Sequence, residues 1–160
     1  MPSLHSLFSL LRARTLRRRK VSPKAKALLR DDAGTILLIK HPLEGYWRLP
    51  GGFVRMDESA YGAVARAVQE LTGLVVLNPQ PIARIDESHF RTDAMYGDYF
   101  QMYATLFLVT RWEGDLRPAG ADWRVEFFSE DKLPLNLHPE VKQALVALAG
   151  FEDTGQIGVY

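Results

Sequence analysis

At 160 residues, with 47% apolar and 24% charged residues and a formal net charge of +1, the chain has the length and balance of one globular domain with a sizeable core. It has no cysteine, which excludes disulfides, thiol catalysis and thiolate zinc sites, and its four histidines, at positions 5, 41, 89 and 138, show no metal-ligand spacing. No apolar run reaches the length of a membrane span, and there is no repeat, no low-complexity linker and no secretory signal, so the chain reads as cytoplasmic.

The small net charge hides an asymmetry. Residues 1–30 hold nine Lys or Arg and no acid, while the remainder holds eleven basic against nineteen acidic residues, a balance of minus eight. Residues 1–22 therefore read as a basic arm, with Leu4, Leu7, Phe8, Leu10 and Leu11 on one apolar helix face and the run Arg12 to Lys20 behind them. Three uses are open to it: packing on the domain or on a second subunit, as in a homodimer; contact with nucleic acid or an anionic membrane; or contact with a substrate diphosphate. The first is favoured, because the arm lacks the interleaved aromatics of a single-strand binder.

Residues 23–150 read as the domain. Strands are expected over 25–30 and 35–40, around the turn Asp31-Asp32-Ala33-Gly34. A helix follows with apolar residues at helical spacing from Ala60 to Leu71, capped by Asp57, Glu58 and Ser59 and stopped by Gly73. Strand-like runs recur over 74–77, 82–87, 99–110 and 124–128, the 99–110 run being longest and central. Residues 133–137 read as a loop, and His138-Pro139-Glu140 opens a last helix with Val141, Leu145 and Leu148 inward. The expected fold class is α/β, a mixed sheet between helices. Residues 151–160, FEDTGQIGVY, read as a polar tail.

The chemistry concentrates in residues 51–74, GGFVRMDESAYGAVARAVQELTGL. Gly51 and Gly52 after the apolar stretch YWRLP let the backbone turn sharply and present carbonyls without side-chain cover. Glu58, Arg66 and Glu70 then lie on or beside one helix, Arg66 and Glu70 four residues apart on one face. A magnesium ion takes oxygen ligands in near-octahedral array and neutralises phosphate charge. Glu70 is the best side-chain ligand on this helix. The neighbouring positions that would add carboxylates hold Ala67 and Leu71.

This segment resembles the Nudix box, Gly-x5-Glu-x7-Arg-Glu-apolar-x-Glu-Glu-x-Gly-apolar. Gly52, Glu58, Arg66, Val68, Glu70, Gly73 and Leu74 match in register, and Ala67 and Leu71 depart from it. The flanks TILLIKHPLEGYWRLPGGFV, DYFQMYATLFLV and WRVEFFSEDKLP resemble the same domain, so the resemblance covers roughly residues 24–148. It implies an α/β/α sandwich and a hydrolase of a nucleoside diphosphate linked to another moiety, using Mg2+ or Mn2+. Glu70 and the Gly51 carbonyl would hold the metal, and Glu58 and Arg66 would form a structural ion pair. The missing carboxylates point to a base recruited from elsewhere: His89 or Asp93 in the stretch HFRTDAMYGDYF, with Asp98, Asp122 and Glu126 as further carboxylates. Gly51, Gly52, Trp47 and Phe53 are candidate substrate contacts. Trp47, Phe53 and Tyr46 either sandwich a base or pack in the core. The alternatives to a hydrolase are a nucleotide-binding module that has lost turnover and, through the arm, an RNA-associated factor.

Overall fold

A computed structural model describes residues 20–87 and 100–160. The expectations placed on the arm before residue 20 and on His89, Asp93 and Asp98 lie outside the described residues.

The elements in chain order are β1 (Lys20–Leu29), β2 (Ile36–Lys40), β3 (Gly51–Phe53), α1 (Ala60–Thr72), β4 (Val75–Leu77), β5 (Gln80–Asp86), β6 (Phe100–Val109), β7 (Arg111–Glu113), β8 (Arg124–Phe128), a 3-10 turn (Glu130–Lys132), α2 (Pro139–Thr154) and β9 (Gly158–Val159). Five strands form one mixed sheet in the order β3-β1-β6-β5-β9, with β6 in the middle as its length and apolar character require. β1 runs parallel to β6 and antiparallel to β3. β2 pairs with β8, and β4 with β7.

The alternation of β1 sorts the core into two layers. Ala25, Ala27 and Leu29 pack with Ala63, Val64 and Val68 of α1. On the other face Leu28 joins Ile82, Ile85, Leu106 and, from α2, Val141, Ala144 and Leu148. The result is the expected mixed sheet between helices. Val141 and Leu148 are buried on α2 as expected, Leu145 is partly buried against the same cluster, and Ala144 and Ala147 are buried with them.

The turn at 31–34 forms, with Gly34 at φ 78° and the Asp31 carboxylate accepting from Thr35 N (2.7 Å) and Oγ1 (2.6 Å). The strands it joins then part into different sheets, bridged at Arg30–Ile36 and packed together through Leu28, Ile36 and Leu38. α1 is capped by Ser59, whose side chain accepts from Gly62 N, and ends at Gly73 in the left-handed region. Asp57 also adopts a left-handed conformation (φ 63°), as does Asn78 (φ 50°).

Two sequence expectations change. The glycine pair does not form a sharp turn: Gly51 and Gly52 begin β3, paired with Lys26 and Ala25 of β1. Gly51 is needed for close approach, since a Cβ there would lie 2.5 Å from the Ala25 carbonyl oxygen and 2.8 Å from Lys26 Cγ. Residues 151–160 are not a free tail either. Residues 151–154 finish α2, and β9 joins the sheet edge parallel to β5. Tyr160 N donates to Arg84 O (2.9 Å) and its carbonyl accepts from Asp86 N (2.8 Å).

Removing residues 156–160 should therefore lower the unfolding free energy by about 1–3 kcal/mol, from lost ladder bonds and exposed ring surface. Urea denaturation should show a lower midpoint with a nearly unchanged slope; an unchanged midpoint would mean that β9 adds nothing.

Candidate functional site

The site is built around Arg66, on the sheet-facing side of α1. Its guanidinium forms a fork on Glu58, with Nε donating to Oε1 (2.7 Å) and Nη2 to Oε2 (2.9 Å). Nη2 also donates to the carbonyl of Phe53, the last residue of β3 (3.0 Å), and Nη1 to Glu70 Oε2 (3.2 Å). Glu58 accepts a further bond from Arg55 N (3.0 Å). One planar side chain thus joins the end of β3, the loop before α1 and the middle of α1. The hydrogen bonds from Arg66, then from Arg55 N, hold the Glu58 carboxyl down to about 2 from its ordinary 4.5, and Glu58 in turn raises the Arg66 guanidinium.

Glu70 is half-exposed, at 54%, between two cations: Arg66 on one oxygen and Arg55 Nη2 on the other (3.6 Å). Ala67 is buried at 2% and lies under Gly52, 3.5 Å from where a Cβ of that glycine would stand. Leu71 is half-buried. Among the described residues, the carboxylates near the glycine strand are Glu58 and Glu70, both already paired with arginines. Among the described residues no group of three or more His, Cys, Asp or Glu side chains is placed to hold a metal ion. These residues do not fit a divalent ion held by the protein alone, which needs several oxygen ligands.

The aromatic candidates separate. Trp47 is 6% exposed and packs edge-on against Phe128 with centroids 4.8 Å apart, so it belongs to the core and leaves no face for a base. Tyr46 is half-buried and tilted against His138 at 5.0 Å. Phe53 is 55% exposed, with Lys24 Nζ 5.0 Å from its ring centroid, and is the one of the three with an open ring. Asp122 and Glu126 are exposed, Glu126 on β8 opposite Leu38. Trp112 stacks on Phe127, and Trp123 meets His41 edge-on.

A second polar group, on the α2 face of β1, was not foreseen. Lys26 is 7% exposed and contacts Glu140, and its Nζ lies 2.7 Å from Glu87 Oε1; Glu87 Oε2 is 2.9 Å from Lys24 Nζ. Burial pushes the Glu140 carboxyl up, but the Lys26 ammonium, with His138 adding to it, brings it down to about 2. The signal available in the sequence was the pair of lysines in the strand KAKALL, each of which alternation directs to the same face as Leu28.

A sequence model of the NUDIX domain matches residues 21–148. Over 45 residues the chain is 40% identical to an uncharacterised Nudix hydrolase, YvcI, of Bacillus subtilis (strain 168), a stretch that covers 28% of either protein. Over 52 residues it is 42% identical to a MutT-like protein of Streptomyces ambofaciens, covering 32% of this chain and 33% of that one. The match therefore spans a third or less of the length of these curated relatives. The crystal structure of a MutT NUDIX hydrolase from Burkholderia pseudomallei superposes with a TM-score of 0.68 at 27% identity, over 81% of this chain and 99% of that one. A UDP-X diphosphatase structure gives 0.68 at 18% identity, over 100% of this chain and 76% of that one, a likeness of fold alone.

The depressed carboxyls set an acid limit. Glu58 and Glu140 contribute stability that is fully present above 4.5 and is lost as pH falls toward about 2. Urea titrations at pH 7 and pH 3 should show this loss. Glu58→Gln should lower stability at pH 7 and shrink the difference between the two pH values; an undiminished difference would remove Glu58 from the acid response.

Proposed function

The chain belongs to the Nudix family, and on that premise we propose that it hydrolyses a nucleoside diphosphate linked to a further moiety, taken up as its magnesium or manganese complex. The observation that carries this reading is the Arg66 fork, which fixes the end of β3 against α1 and holds Glu70 on the same guanidinium. Because the donors among the described residues do not make a resident metal site, the ion is read as part of the substrate, whose diphosphate oxygens supply most of its ligands. Glu70 and the Gly51 carbonyl are this chain's contributions toward that complex. Arg55 and Arg66 hold Glu70 in place and offset the charge that gathers there. Phe53 offers its exposed ring to the base. A proton acceptor for the attacking water comes from His89 or Asp93. Attack falls on a phosphorus or, in a glycosyl version, on the sugar carbon. In this reading the protein works in the cytoplasm on a small-molecule nucleotide, and the basic arm packs on the domain or on a second copy.

The arginine pairing of both Glu70 oxygens, with Ala67 buried where the family carries a carboxylate, favours one second reading: a module that binds the nucleotide without turning it over.

The two separate on a panel of nucleotide sugars, dinucleotides and triphosphates, with and without Mg2+ or Mn2+. Metal-dependent turnover that falls about 100-fold or more in Glu70→Gln supports the hydrolase. Ligand-dependent thermal stabilisation without turnover supports the module. Neither effect with any compound would sink both. Adding carboxylates, Ala67→Glu with Leu71→Glu, should tighten Mn2+ binding to the free protein by about tenfold or more, roughly one added strong ligand interaction. An unchanged affinity would displace the proposed ion position.

A further inference from the structure

We propose that Glu140 and Lys26 are positioning residues for the glycine strand, tying the first turn of α2 to β3 so that the Gly51 carbonyl meets the substrate complex at a fixed place. This rests on the hydrolase reading above.

Three charged side chains are almost wholly buried on one face of the sheet: Lys26, Glu87 and Glu140, at 7%, 3% and 2% exposure. Apolar residues at these positions would hold the layers together without the cost of removing charges from water, as Leu28 and Val141 do next to them. What the ions add is direction.

Glu140 faces two ways. Its Oε1 accepts from Leu49 N (3.1 Å), two residues before Gly51, and its Oε2 contacts Lys26. Lys26 is the register partner of Gly51 and lies against it closely enough to exclude any side chain there. Between the same elements, Trp47 N donates to Asn136 O and His138 N to Trp47 O, both at 2.8 Å. The path continues through Glu87 to Lys24, which stands opposite Phe53 in the ladder and over its ring. β3 is thereby held from the α2 side at its entry and at Phe53, while Arg66 holds it from the α1 side at the Phe53 carbonyl.

The test compares Glu140→Gln, whose amide oxygen can still accept from Leu49 N, with Glu140→Leu, which cannot. Amide hydrogen exchange reads the strand directly. Glu140→Leu is expected to speed exchange at residues 51–53 by about tenfold or more while α1 and β6 keep their protection, and Glu140→Gln to restore the slow rate. In turnover, Glu140→Leu should lower kcat about tenfold or more with KM little changed, and Glu140→Gln should recover most of it. If Glu140→Leu does not fold, Lys26→Met is measured in its place, with the same loosening expected at residues 51–53. The proposal is overturned if the variants lose thermal stability while exchange at residues 51–53 stays at the wild-type rate, or if Glu140→Gln is as damaging as Glu140→Leu. A wild-type protein that turns over nothing would refute the hydrolase reading alone, because the exchange measurement decides the positioning role without it.

Discussion

The fold depends on one short strand that has almost no side chains. β3 begins with two glycines and lies on β1 at a distance that a single methyl group would prevent. The Arg66 network of the candidate site is joined to this strand at the Phe53 carbonyl. Arg66 reaches its last carbonyl from one face of the sheet, and the segment leading into it is tied to α2 from the other. A bare backbone keeps a fixed place only if something else holds it, because glycine fixes nothing by itself. Two ionic groups bond to this segment, Arg66 at the Phe53 carbonyl and the buried Glu140 at Leu49 N.

The same arrangement shows how the shape of the family is kept in this chain while two of its carboxylates are absent. The Glu58–Arg66 fork maintains the relation of strand, loop and helix, and it makes no use of positions 67 and 71. Those positions hold Ala67, which lies beneath Gly52, and Leu71, which is half-buried. The box keeps its structural pair and lacks two of the family's carboxylates. On the reading proposed above, a substrate that brings its own cation suits such a site.

What could be read from the sequence was what local spacing determines. The extent of α1, its stop at Gly73, the eight-residue step from Glu58 to Arg66 and the central place of β6 all follow from periodicity and from caps. What could not be read depends on contacts distant in sequence. Lys26 meets Glu140 across 114 residues, and no spacing rule connects them. The glycine pair looked like a turn because glycine permits one; its actual role follows from the register with β1. Trp47 sits beside the glycines in sequence, yet Phe128 at the end of β8 covers it. The polar residues 151–160 gave no sign that the edge of β5 would accept them as a strand.

Asp57, in the loop before α1, and Asn78, after β4, have backbones in the left-handed region, each tolerable for its type but not free of cost. Neither is among the residues that carry the chemistry. They form a small reserve that glycine at either position would release. A designer could draw on that reserve to offset the penalty of placing a carboxylate under Gly52, in place of Ala67, without loosening the domain.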